Sequence, residues 1–291
     1  MRLAFIKLHI AVLLAGFTAI LGKLITLNEA ALVWWRLLLS VVALLLLFAW
    51  LKKSVLTTRK TILQLLGIGS LVGIHWLCFF GSVKYGNVSI ALVCFSAAGF
   101  FSALLEPIIT RRKWRPIELL LGLMCMAGIY IIFHFDTRYK TGIMLGVAAA
   151  ALSALFSILN KQMVNAKADG LQMTFWEMSG ALITLSVAMP AYVMLRGDSM
   201  LPAPLDWLWL LVLALVCTVW AFFLQLQALQ HISAVTLNLT YNLEPVYGIL
   251  LAFIFFQENQ YLHSTFFAGL IFIALAVAIQ MWRVKQGLDE G

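Results

Sequence analysis

The chain is predicted to be all-α: a polytopic membrane protein with ten transmembrane helices in two inverted five-helix repeats. Three observations predict this. First, 63% of its 291 residues are hydrophobic and 11% are charged, with a mean hydropathy of +0.99; a soluble domain carries about 25% charged residues. Second, ten apolar runs, each long enough to cross roughly 30 Å of hydrocarbon, are joined by short polar connections. Third, the wording of the first five runs returns, in order, in the second five.

The predicted spans are Leu8–Ile25, Ala30–Trp50, Ile62–Lys84, Val88–Thr110 and Pro116–Phe135 in the first half. Gly142–Met163, Thr174–Leu195, Trp207–Leu229, Ser233–Phe256 and Ser264–Trp282 follow in the second. The division therefore falls at 1–140 and 141–291. The basic, then apolar, start resembles a signal peptide. It lacks a small-x-small cleavage site and has a repeat partner in span six, so it is read as an uncleaved first span.

Ile20-Leu21-Gly22-Lys23 matches Ile158-Leu159-Asn160-Lys161, and Trp34-Trp35-Arg36 matches Phe175-Trp176-Glu177. Trp76 and Phe79 match Trp220 and Phe223, Ser89 matches Ser233, and Gly122-Leu123 matches Gly269-Leu270. Because each half holds an odd number of spans, the second enters the membrane from the opposite side. Inverted repeats of this kind build secondary transporters with a midplane site, although the same topology also builds channels.

A net charge of +8 invites a nucleic-acid reading, but its distribution argues for topology. Arg2 and Lys7 precede span one; Lys52, Lys53, Arg59 and Lys60 follow span two; Arg111, Arg112, Lys113 and Arg115 follow span four. Lys167, Arg283 and Lys285 continue the series, and with ten spans all fall on one side. The opposite loops hold few cations, such as Arg138, Lys140 and Arg196. The positive-inside rule then predicts cytoplasmic N- and C-termini and no nucleic-acid partner.

Cys78, Cys94, Cys125 and Cys217 occur singly, with no CxxC spacing, and read as small buried side chains. Metalloprotease, Walker-type and nucleophile-elbow motifs are all missing, so the chain is predicted to be no enzyme, with no cofactor and no metal. Gly69 and Gly73, and Gly142 and Gly146, are spaced for close helix packing.

Polar groups at depth carry the functional reading. A charge at the bilayer centre costs roughly 2.5–3.5 kcal/mol on insertion scales, and Glu244 stands beside Pro245 inside a predicted span. Thr236, Thr240 and Glu244 share one face; Asn238, Tyr241, Asn242 and Pro245 line its neighbour. Such a helix faces other helices or a wet cavity, either as interhelical glue or as a ligand lining. His75 suits a proton carrier or substrate contact, and equally a neutral hydrogen-bonded core residue. Trp76 and Trp220 suit ligand stacking or packing. Arg36 and Glu177 match in the repeat, near opposite faces, so they are not expected to pair. Either Arg36 anchors a gate or it snorkels to the interface. Glu177 is expected to meet Lys161 or Lys167. Glu106, close to Arg111, reads as a structural ion pair.

Asn242-Leu243-Glu244-Pro245-Val246-Tyr247-Gly248, the ending Phe255-Phe256-Gln257-Glu258 and the two five-span halves resemble the EamA-type permeases of the drug/metabolite transporter superfamily. The first half departs, with Arg111-Arg112-Lys113 in place of the acidic ending. The resemblance implies a bacterial inner-membrane exporter of amino acids or related metabolites. It also implies a central cavity offering Thr18, His75, Ser96, Asn160, Trp220 and Asn238 to Glu244. The reading that follows is an alternating-access carrier for a small-molecule substrate in the lipid bilayer. Glu244 or His75 takes a proton or a cationic group, which makes coupled protons one expectation, and the state is monomer or homodimer. A non-transporting sensor or scaffold is the alternative.

Overall fold

A computed structural model describes all residues except 1, 112, 136, 198, 230–239, 242, 263 and 287–291. Asn238, Asn242 and Thr236 therefore lie outside the described residues, and all elements among the described ones are helical.

Helix α1 (Arg2–Leu24) is followed by α2 (Glu29–Leu51), α3 (Arg59–Tyr85), α4 (Val88–Phe95), α5 (Ala98–Thr110) and α6 (Pro116–Phe135). Then come α7 (Lys140–Asn165), α8 (Gly170–Arg196), and a continuous rod of α9 (Pro204–Leu211), a π-helical stretch (Val212–Trp220) and α10 (Ala221–Leu229). The helices α11 (Glu244–Phe256) and α12 (Ser264–Lys285) complete the chain. Among the described residues seven helical stretches are long and apolar enough to cross a membrane, with Val88–Thr110 and Pro204–Gln225 each taken as one, and the apolar stretches Pro116–Ile131, Glu244–Phe256 and Ser264–Ala276 are shorter.

Local chemistry sets the boundaries. Asn28, Thr58, Asn87 and Asp169 each accept a backbone N–H of the first turn that follows, at 2.8, 3.2, 2.7 and 3.0 Å, which satisfies amides the helix leaves unpaired. Lys52, Arg111 and Gln257 end α2, α5 and α11 in the left-handed region, with φ of 51, 56 and 51°. Pro204 and Pro245 occupy the first turns of α9 and α11, where proline's missing N–H costs nothing. Pro245, inside the predicted span Ser233–Phe256, falls in the first turn of α11.

The predicted span Val88–Thr110 is two helices. At Ser96 and Ala97 the amides bond to the carbonyls of Val93 and Cys94, three residues back, and the Ser96 hydroxyl bonds to the Val93 carbonyl as well. The break has a counterpart. α5 and α11 are both 13 residues long and begin at 98 and 244. The other starts pair too: 2 with 140, 29 with 170, 59 with 204 and 116 with 264.

Packing follows the same series. α1 lies against α10 and α11, as α7 lies against α3 and α5; α2 packs on the π stretch, as α8 packs on α3. Between the series, α2 meets α8, α4 meets α11 and α6 meets α12. Small residues permit the closest crossings. A Cβ on Gly69 would lie 2.1 Å from the Glu177 carbonyl oxygen, and one on Gly180 2.4 Å from that of Leu66, so α3 and α8 touch backbone to backbone.

Candidate functional site

The buried face of α2 runs Leu32, Arg36, Ser40, Leu44 and Phe48, at steps of four. This places Arg36 inside the helix bundle, 2% exposed. The expected snorkelling is thus overturned. Arg36 sits seven residues into α2, about 10 Å along the axis, and its neighbours hold it inward. The guanidinium carbon lies 3.7 Å from the Trp76 ring centroid and 5.7 Å from that of Phe80. Its Nε–H donates to Thr218 Oγ1 at 2.9 Å, and the Thr218 hydroxyl donates to the Leu213 carbonyl, five residues back, at 2.8 Å. The π register of Val212–Trp220 supplies that fifth-residue reach. Arg36 Nη1 is buried with no hydrogen-bond partner.

Glu244, the first residue of α11, is also buried, at 8% exposure. Glu244 and Arg36 are not among the ion pairs formed between described residues. The Leu243 N-cap offers α11 no side-chain acceptor, so the positive end of its dipole opens beside Glu244. Gly16 of α1 lets α11 approach: a Cβ there would lie 3.1 Å from both the Glu244 carbonyl oxygen and the Gly248 nitrogen. Cys217 is buried beside Thr218 in the π stretch. Thr18 is also buried and donates to the Leu14 carbonyl at 3.2 Å. Arg36, Trp76 and Thr218 therefore form one cluster, drawn from α2, α3 and the π stretch, and α1, which carries Thr18, packs against α3, the π stretch and α11.

His75 precedes Trp76 on α3 and so adjoins this cluster. It is 5% exposed, with Nδ1 2.8 Å from the Ala149 carbonyl oxygen. Phe79, Phe95 and Phe156 surround the ring at 5.3–6.2 Å. This geometry is that of a hydrogen-bonded core residue. Ser96 stands at the α4–α5 break next to Phe95. Tyr241 is half-buried, and its hydroxyl donates to Gln225 Oε1 at 3.0 Å. Trp220 closes the π stretch at 47% exposure, unlike its repeat counterpart Trp76 at 8%.

A second polar pair lies apart from the first. Asn160 donates to Glu177 Oε2 at 3.0 Å, with Asn160 Oδ1 buried and unpartnered. Glu177 thus meets Asn160, rather than Lys161 or Lys167, and forms no ion pair with Arg36 among the described residues. Lys161 is engaged by Glu106 of α5 at 2.9 Å. The ion pair expected of Glu106 exists, but across helices to α7. Its counterpart joins α1 to the end of α11, where Lys23 lies 2.7 Å from Glu258. Glu258, 3% exposed, also accepts the Val88 and Ser89 amides at 3.2 and 2.8 Å, capping α4. Sequence reading did not find the roles of Glu258 and Thr218, which arise only from tertiary packing.

The description "EamA-like transporter family" belongs to a family model that matches residues 2–134 and again 140–280. The chain is 25% identical over 301 residues to the uncharacterized transporter YetK of Bacillus subtilis (strain 168), covering 97% of this chain and 88% of that one. A solved crystal structure, titled simply as that of a protein, superposes with a TM-score of 0.67 at 17% identity, covering 98% of each chain. That likeness is one of fold.

Proposed function

We propose that this chain, which belongs to the EamA-like transporter family, is a secondary transporter that moves small metabolites by alternating access. Its substrates are amino acids or related compounds, carried outward across a bacterial inner membrane. In this reading ten helices cross the bilayer as two inverted five-helix halves, 1–140 and 141–291, with both termini cytoplasmic. The matched helix starts and the reciprocal packing of α1 with α10 and α7 with α3 support a two-fold relation between halves. An odd number of crossings per half makes that axis lie in the membrane plane.

The observation that carries the reading is the coincidence of charge with broken helices. The breaks before α5 and α11 fall at corresponding positions, and buried Glu244 stands at one of them. Interrupted helices at matching positions mark the substrate site of many secondary transporters, and intramembrane charges are retained for ligand or ion pathways. Glu244 then serves in turn the substrate's cationic group and a proton, which couples export to proton entry. Lys23–Glu258 and Lys161–Glu106, at opposite faces by the count of crossings, act as the two gates.

The test is a flux screen. Full-length protein in liposomes is offered labelled amino acids and related metabolites, with and without a pH gradient. Uptake of at least one compound above protein-free vesicles, increased by the gradient, is expected. No flux of any compound through folded, inserted protein would refute the reading and favour a scaffold.

A further inference from the structure

We propose that Trp35 and Trp176 are reciprocal pins that fasten α2 and α8 to one another at both ends, so that this helix pair is the fixed axis about which the two halves turn. This rests on the transporter reading and adds to it which part of the molecule stays still while the gates open.

The two helices run antiparallel, as the proposed inversion requires. Glu29, the first residue of α2, accepts the hydroxyl of Tyr192, near the end of α8, at 3.0 Å. Phe48, near the end of α2, meets the ring of Phe175, near the start of α8, with centroids 5.8 Å apart. At the first of these ends the Trp34 indole N–H donates to Ser186 Oγ at 2.9 Å, and the Trp35 indole N–H donates to the Met200 carbonyl, beyond the end of α8, at 2.7 Å. At the other end the Trp176 indole N–H donates to the Val55 carbonyl, beyond the end of α2, at 2.8 Å. Gln172 Nε2 donates to the Ser54 and Leu56 carbonyls beside it at 3.0 and 3.1 Å. Trp35 and Trp176 are counterparts in the repeat. Each reaches from the second helix of its own half to the connection that leads into the third helix of the other.

Both indoles are braced. Trp35 packs edge-on against Trp34 and Trp207, with centroids 5.1 and 4.9 Å apart, and Trp176 packs edge-on against Phe175 at 5.2 Å. Pro190 lies inside α8 and cannot donate to the Ser186 carbonyl one turn back. The bonds at Ser186 and Tyr192 fall on either side of that weak point and splint the helix to α2 across it.

The gates are built differently. Lys23–Glu258 ties α1 to the end of α11, and Lys161–Glu106 ties α7 to α5, each through one ion pair. Opening a gate costs one such contact. Tilting α2 from α8 at either end breaks several hydrogen bonds together. The motion therefore belongs to the helices that carry the gates, and α2 and α8 stay pinned.

The experiment measures distances, so that it is independent of transport. Purified full-length protein in nanodiscs carries spin labels on encoded reactive residues, which leaves the native cysteines in place. Labels at the exposed positions Val42 and Leu201 read the Trp35 end, and those at Val187 and Lys53 read the Trp176 end. Leu13 with Tyr261, and Met144 with Ile108, read the two gates. Pulsed electron resonance across a pH series is expected to give a single narrow distance at each pinned end and broad or split distances at the gates. Trp35→Phe keeps the ring and loses the N–H. It is expected to raise a displaced population at its own end roughly two- to tenfold and to leave the Trp176 end unchanged; Trp176→Phe does the reverse. If either variant does not fold, the four distances in the unaltered protein decide. Split distances at either pinned end overturn the proposal, as do gate distances no broader than the pinned ones. Unchanged distances in both folded variants also overturn it. Flux in the liposome screen beside mobile pinned ends would remove the axis and leave the transporter reading standing; no flux at all would remove both.

Discussion

Lys161 reaches across from α7 to pair with Glu106 of α5 at 2.9 Å, and Lys23, its repeat counterpart, reaches from α1 to Glu258 at 2.7 Å. The two pairs differ in surroundings. Glu258 is nearly enclosed and also caps α4 through two amides, whereas the Lys161 side chain keeps 33% of its surface. Glu258→Ala leaves the two buried amides of Val88 and Ser89 unmet and is expected to cost about 2–3 kcal/mol. Lys161→Ala removes a half-open pair and should cost less than about 1 kcal/mol. Thermal unfolding of both variants in one detergent checks the ordering; equal losses would contradict the capping role of Glu258.

The α3–α8 crossing supplies an internal control. Gly69→Ala drives a methyl group into the Glu177 carbonyl and is expected to destabilise by about 3 kcal/mol. Gly67→Ala, two residues away on the same helix, meets nothing within 4 Å and should stabilise by roughly 0.5–1 kcal/mol through the lower chain entropy of alanine. Steric-trapping or thermal measurements read both signs.

Thr218→Val removes the hydroxyl that receives Arg36 Nε–H while keeping shape. A loss of about 1–3 kcal/mol is expected for the second unmet donor on a buried cation. Thr218→Ser should restore most of it. Unfolding midpoints for the three proteins check this, and a silent Thr218→Val would mean that Arg36 is held by Trp76 alone.

Much of this fold is legible in the residues. Apolar runs locate the helices because every backbone polar group in hydrocarbon must be met within its own segment. Asn28 and Asp169 mark starts by capping chemistry, and the Ile-Leu-x-Lys and aromatic echoes mark the repeat. Glu244 stands out because charge at depth is expensive. Arg36 is harder to read. Its place after Trp34-Trp35 looks interfacial, and only the four-residue stripe from Leu32 to Phe48, together with a helix start at Glu29, carries it inside. The π register that aims Thr218, the break at Ser96 and the capping by Glu258 depend on which helices meet, information that no local pattern holds. Asn238 and Asn242 lie outside the described residues.

The most direct test is gradient-driven transport by Glu244→Gln in proteoliposomes, beside exchange of the same substrate at equal pH. The account predicts that the variant inserts normally and loses accumulation driven by a pH gradient. Accumulation at the rate of the unaltered protein would contradict it.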